Sequence, residues 1–305
     1  MDDLTRDFYE ERRQKWRRSA FWRGVLVSLS TLLLLGLLGT ILGGGPRFGD
    51  HIARVDLEGV IYDDPVLDAT LKEVEENNNA KALILTISSP GGSTVGSEAL
   101  FERLREISKK KPVVSVLGEV AASGGYIAAI GADYIIARGN TITGSIGVIM
   151  EYPDVTAMLT KLGITMQTVR SSDIKGGPSP FRRSTSEARA AQKVLIDESH
   201  DWFRGLVEER RGLTGLKLDE VADGRVFTGR LALALGLVDA IGGFDDATEY
   251  LDSIDSIDTK LPVDTYALEY EKGGFLGSIG EFLLRNGSLE RISGQSGPRL
   301  YSIAK

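Results

Sequence analysis

The sequence predicts an α/β domain built on a parallel sheet, and three observations carry that prediction. Continuous apolar runs of strand length occur at Ala82–Ile87, Val113–Leu117 and Tyr134–Ala137, as expected of strands buried on both faces. Stretches of helical periodicity separate them, so strand and helix alternate as in βαβ units with right-handed crossovers. Glycine-rich turns follow two of the strands, Ser89-Pro90-Gly91-Gly92 and Ser123-Gly124-Gly125. In parallel sheets, functional groups gather at such strand-to-helix turns.

The elements follow in order. Residues 1–24 are polar and carry Arg6, Arg12, Arg13, Lys15, Arg17, Arg18 and Arg23. From Val25 to Leu42 there is no charge, and a helix of that length spans roughly 27 Å, close to the ~30 Å of a bilayer core. Phe21 and Trp22 are placed as interfacial anchors. The expected organisation is a cytoplasmic tail at 1–24, a transmembrane signal-anchor helix at 25–43 and a linker at 44–51. A domain at 52–252 follows, then an extension at 253–305. The basic excess before the span puts the N-terminus in the cytoplasm and the domain outside. A cleaved signal peptide fits less well, because the basic region is long and no Ala-x-Ala site follows.

Ile52–Ile61 alternates like a half-buried strand, and Asp64–Asn77 has helical spacing ended by Asn77-Asn78-Asn79. Helices are expected from about Ser97 to Lys109, after Ser123, and over Ala188–Arg211, Leu231–Asp239 and Phe244–Leu251. Leu261–Glu269 reads as a strand and Phe275–Leu284 as a short amphipathic stretch, first of all a packing segment, with a subunit contact or a membrane-surface helix as the alternatives. The last fifteen residues, rich in Ser, Gly and Arg, are expected to be disordered.

Composition narrows the chemistry. A net charge of −7 argues against a nucleic-acid partner. The chain has no cysteine, which excludes disulfides, thiolate catalysis and cysteine zinc sites. Its two histidines, His51 and His200, lack ligand-spaced partners, so neither a metal nor a cofactor is expected, and both read as surface or interfacial residues. The Gly91–Gly96 stretch is not a dinucleotide fingerprint and no Walker lysine follows it.

Ser123, at the junction of an apolar run and a helical pattern, is the candidate nucleophile. An unobstructed amide from the Pro90-Gly91-Gly92 turn, with the amide of Gly124, would form an oxyanion hole. With histidine set aside, the base is a lysine, a carboxylate or the amino terminus. Lys109-Lys110-Lys111 reads as a solvated helix end. Lys175, in a loop rich in glycine and proline before Pro178-Ser179-Pro180, is the leading lysine.

At this point the chain resembles the signal peptide peptidase A family of membrane-anchored Ser-Lys proteases, from about Arg54 to Asp246. The resemblance rests on six motifs in order: Ser89-Pro90-Gly91-Gly92; Ala122-Ser123-Gly124-Gly125-Tyr126; Thr143-Gly144-Ser145-Ile146-Gly147-Val148; Lys175 ahead of Ser179-Pro180-Phe181-Arg182; Asp223-Gly224-Arg225-Val226-Phe227-Thr228-Gly229; and Gly236-Leu237-Val238-Asp239. It implies a Clp protease/crotonase-like fold of repeated ββα and βαβ units. It implies Ser123 as nucleophile, Lys175 as general base and Ser145 as the serine that orients the base. Gly124 and Gly92 would supply the oxyanion amides, with Gly91 the alternative to Gly92. Departures stand at Ser88, where the family usually has Asn, at Ile127, where a second tyrosine often follows Tyr126, and around Lys175.

A catalytic lysine must shed its charge, because an ordinary lysine pKa near 10.4 leaves almost none neutral at pH 7. Desolvation supplies the shift, so Lys175 is expected to be buried in the assembled enzyme, with Asp173 turned away from it. Half-length members of the family resemble rings in which neighbouring subunits share each site. The reading is a membrane-anchored serine endopeptidase, a homo-oligomer acting on peptides such as signal-peptide remnants. A crotonase-like acyl-CoA enzyme and a non-catalytic scaffold are the alternatives on the same fold.

Overall fold

The structure is a computed structural model that describes residues 21–34, 49–254, 257 and 260–268. The chain divides into two units at Gly49. In the first, residues 21–34 form a helix, α1, whose Leu26, Val27, Leu29, Leu32, Leu33 and Leu34 are all exposed. Among the described residues no helix is long and apolar enough to cross a membrane; residues 35–43 of the expected span lie outside them, as do the tail at 1–20, the segment 275–284 and the last fifteen residues.

The second unit opens with β1 (His51–Ile61) and α2 (Pro65–Glu76). Asp64 starts α2 by accepting the N–H groups of Val66 and Leu67, with Pro65 in the first turn, a position where its missing donor costs nothing. β2 (Ala80–Gly92), α3 (Thr94–Ser108), β3 (Val113–Ala122) and α4 (Gly124–Ile130) follow. Next come β4 (Tyr134–Ala137), β5 (Ile142–Gly144), α5 (Thr156–Lys161) and the long α6 (Ser186–Arg211). The chain continues through α7 (Leu216–Val221), β6 (Val226–Thr228), α8 (Gly229–Ala234), β7 (Ala240–Ile241), α9 (Phe244–Ser253) and β8 (Val263–Thr265).

The strands form one sheet in the order β6-β5-β3-β2-β1-β8. Every pairing is parallel except β5 with β6. β3 is the branch point: Val114–Leu117 pair with β4, and Val120–Ala122 pair with β5. Period-two alternation along β2 sends Leu83, Leu85 and Ile87 to one face, under α2, α3 and α4, and Ala82 and Ile84 to the other, under α9. That two-sided burial is what the unbroken apolar run required, at roughly 1.5–3 kcal/mol for each fully buried leucine or isoleucine.

Three expectations change. α8 ends at Ala234 rather than Asp239, because Gly236, at φ 78°, turns the chain so that Asp239 can reach Arg211 and the N–H of Ile135. His51 is buried, not at the surface: its Nε2 lies 2.9 Å from the Tyr266 hydroxyl, which ties β8 to β1. Lys111 is buried as well, its Nζ donating to the carbonyls of Val74 at 2.6 Å and Asn77 at 2.8 Å. It closes the C-terminus of α2, where carbonyls lack helical partners, and burial holds its pKa below the ordinary lysine value.

Candidate active site

Ser123 occupies the one residue between β3 and α4, with φ 53° and ψ −120°. A side chain at positive φ is strained, and the backbone around it is fixed on both sides. Its N–H donates to the Gly144 carbonyl at 2.8 Å, and its carbonyl accepts from Tyr126 at 2.9 Å and Ile127 at 3.0 Å. Its hydroxyl makes no capping bond to α4. The backbone therefore holds the turn in place, and the side chain takes no part in capping α4.

Glycine is required on both sides of this turn by close approach. A Cβ on Gly124 would lie 2.2 Å from Ser97 Oγ and 3.1 Å from the Gly92 nitrogen, and one on Gly125 would lie 2.7 Å from the Ser89 carbonyl oxygen. A Cβ on Gly92 would overlap the Ile61 carbonyl at 1.8 Å, and Gly91, at φ 115°, would meet Ser123 Cβ at 2.9 Å. The first turn of α4 thus rests directly on the end of β2. The amides of Gly92 and Gly124 come together here, while the Gly91 N–H is already engaged with Ser89 Oγ at 3.1 Å.

Ser145 follows Gly144 as Ser123 follows Ala122, and Ala122 and Gly144 are paired residues of β3 and β5. The two serines therefore stand side by side at adjacent strand ends. Ser145 has φ 52°, and among the described residues these are the two non-glycine residues with positive φ. Its N–H donates to the Arg225 carbonyl at 2.8 Å, so the loop before β6 pins it. Gly144, at φ 82°, leaves room for the Phe227 ring, which a Cβ would meet at 2.7 Å.

A cavity of about 50 Å³ opens in front of Ser123, bounded by Gly92 and Gly124, by Ser97 and Thr94, by Ile127, and by Gly147, Val148, Ile149, Trp202 and Phe203. Trp202 and Phe203 come from α6, just after His200 in the sequence. Their spacing with Leu206 and Val207, one helical turn on, was the available signal that this face of α6 packs inward. Behind the site, the buried Tyr126 hydroxyl donates to the Leu237 carbonyl at 2.8 Å, and burial pushes its pKa well up. This bond links two of the sequence motifs, and the Arg211–Asp239 pair at 2.7 Å holds the second of them.

Lys175 is not among the residues that line the cavity. It is exposed, in a turn where its N–H reaches the Ser172 carbonyl at 3.3 Å. Among the described residues no ion pair joins it to Asp173, whose carbonyl accepts from Arg170. His200 Nε2 lies 2.9 Å from the Ala222 carbonyl oxygen, away from the cavity lining. No cluster of acidic or histidine side chains among the described residues could hold a metal ion.

Comparison with known proteins adds to this geometry. The family model described as Peptidase family S49 matches residues 105–257. A putative protease of Synechocystis sp. is 38% identical over 218 residues, covering 70% of this chain and 78% of that protein. A putative protease of Methanocaldococcus jannaschii is 33% identical over 298 residues, covering 88% and 93%. A putative signal peptide peptidase SppA of Enterococcus faecium is 34% identical over 202 residues, covering 66% and 57%.

Proposed function

The chain belongs to peptidase family S49, among its signal peptide peptidase A members, and from that premise we propose that it is a serine endopeptidase with Ser123 as nucleophile and Lys175 as general base. The observation that carries the proposal is the turn at Ser123: a strained, backbone-locked serine with an uncapped hydroxyl, on a cavity that Gly92 and Gly124 also bound. The fold assignment is the Clp protease/crotonase-like one, supported by the branching of β3 into β4 and β5.

The chemistry follows from these positions. Neutral Lys175 takes the Ser123 proton as Oγ attacks the peptide carbonyl. The amides of Gly124 and Gly92 receive the oxyanion; the engaged N–H of Gly91 favours Gly92 over it. Lysinium returns the proton to the leaving amine, and water, deprotonated by the same lysine, releases the acyl group. Ser145, beside Ser123, orients the lysine.

Lys175 reaches this site from a neighbouring subunit. The stretch that carries it exposes Ile149, Met158, Leu162, Val169 and Phe181, an apolar surface suited to burial against a second copy, which would also desolvate the lysine. The exposed leucines of α1 suit a bilayer at 25–43, and the substrates are peptides at the membrane, signal-peptide remnants among them. The test is labelling of the assembled protein with a serine-directed phosphonate. Modification maps to Ser123 and disappears in Ser123→Ala; a folded assembly with no labelling, or with label elsewhere, overturns the proposal.

A further inference from the structure

We propose that Trp202 is the specificity-determining residue of this peptidase, restricting the side chain just before the scissile bond to small and branched aliphatic groups. The inference rests on the reading of Ser123 as nucleophile. A carbonyl attacked by Ser123 and received between Gly92 and Gly124 belongs to that residue, so its side chain starts at the mouth of the cavity those groups bound. No charged residue lines the cavity, whose walls include Ile127, Trp202 and Phe203 beside Thr94 and Ser97, so a charged side chain would lose hydration without gaining a counter-ion.

Size sets the second limit. At ~10–15 Å³ of such space for each water-sized group, a volume of about 50 Å³ accepts three to five non-hydrogen atoms. An isopropyl or isobutyl side chain fits; a phenyl or indole ring does not. Among the walls, Ile127 and Phe203 are committed to the core, at 4% and 1% exposure. Trp202 is only partly buried and packs against the edge of that core. It is the largest side chain in the lining, so its shortening opens the most space, and it does so without removing a fully buried residue.

The experiment uses the full chain in its assembled form and a set of peptidyl phosphonates differing only in the residue before the phosphorus: Val, Leu, Phe. In the wild type, Val and Leu inactivate at least about tenfold faster than Phe, the scale expected for a pocket that rejects added methylene-sized groups. Trp202→Ala and Trp202→Leu speed the Phe reagent at least about tenfold relative to Val, and Trp202→Phe gives an intermediate ratio. Circular dichroism melting identifies which variants fold. A wild type that reacts equally with Phe and Val overturns the proposal, as does a folded variant that keeps the wild-type ratio. Should none of the reagents modify Ser123 in the wild type, it is the nucleophile assignment that fails. A folded variant whose rates with all three reagents fall together at an unchanged ratio marks Trp202 as merely structural and likewise overturns the proposal.

Discussion

The backbone N–H of Ser123 donates to the carbonyl of Gly144 at 2.8 Å. This bond continues the β3–β5 ladder one step beyond its last pair, Ala122 with Gly144, and so carries sheet register into the turn at Ser123. Ser145 inherits its position beside Ser123 from the same register. The strain at Ser123 is held by β5 and that at Ser145 by the loop before β6, rather than by the side chains that would do the chemistry.

Relieving that strain is measurable. Ser123→Ala keeps a Cβ at φ 53°, whereas Ser123→Gly removes it. Positive φ costs a non-glycine residue about 1–3 kcal/mol, partly offset by the larger chain entropy that glycine loses on folding. Ser123→Gly should unfold in urea with a free energy about 1 kcal/mol higher than Ser123→Ala, both being inactive. Equal stabilities would mean that the turn relaxes on substitution.

The contact between α3 and α4 makes a second prediction. A Cβ on Gly124 would meet Ser97 Oγ at 2.2 Å, so Gly124→Ala must displace either the hydroxyl or the start of α4. Adding Ser97→Ala removes the obstructing atom, although the Gly92 nitrogen at 3.1 Å remains close. The double variant should be more stable than Gly124→Ala by at least about 1 kcal/mol, a coupling in the range expected for residues in contact. Additive destabilisation in a denaturation cycle would locate the clash elsewhere.

These steric requirements were only partly legible in the sequence. The strands of the sheet centre were readable because two-sided burial leaves an unbroken apolar run, as at Leu83–Leu85. The glycines of the turn were readable because close approach leaves no room for a side chain there. The burial of His51 and Lys111 was not, since both depend on partners distant in sequence, Tyr266 and the carbonyls at the end of α2. Trp202 drew no such reading: its helical spacing with Leu206 marks an inward face, but which cavity that face walls depends on how α6 packs against α4. The short α5 is mostly exposed and buries no residue, so it left no periodic signal.

Tyr126 provides a prediction in pH. Its hydroxyl is buried and donates to the Leu237 carbonyl, and Tyr126→Phe leaves that oxygen unpaired at a cost of about 1–3 kcal/mol. Burial raises the phenol pKa in the folded state, so the folded protein keeps this proton after the unfolded chain has lost it. The stability it contributes is full below the unfolded value near 10 and declines as pH rises above it. Melting temperatures from pH 8 to 11 should therefore fall more steeply for the wild type than for Tyr126→Phe. Parallel curves would mean that the hydroxyl is solvated.

The exposed position of Lys175, off the cavity lining, leads to the last prediction. If the base comes from a neighbouring subunit, Ser123→Ala and Lys175→Ala assemblies are each inactive, but each carries the half that the other lacks. In randomly mixed assemblies from equal amounts, a site is complete where an intact Ser123 meets an intact Lys175 across an interface. About one quarter of sites then qualify by independent pairing, provided that the substitutions do not bias assembly. Peptidase activity should return on mixing, approach about a quarter of the wild-type value per site, and follow subunit exchange in time. Exchange is read separately, by energy transfer between labelled subunits or by native mass spectrometry. Confirmed exchange with no recovered activity would assign the pair to one chain, with the Lys175 loop folding inward when the assembly forms. A double Ser123→Ala/Lys175→Ala protein mixed with the wild type supplies the control, since it dilutes intact sites and restores none.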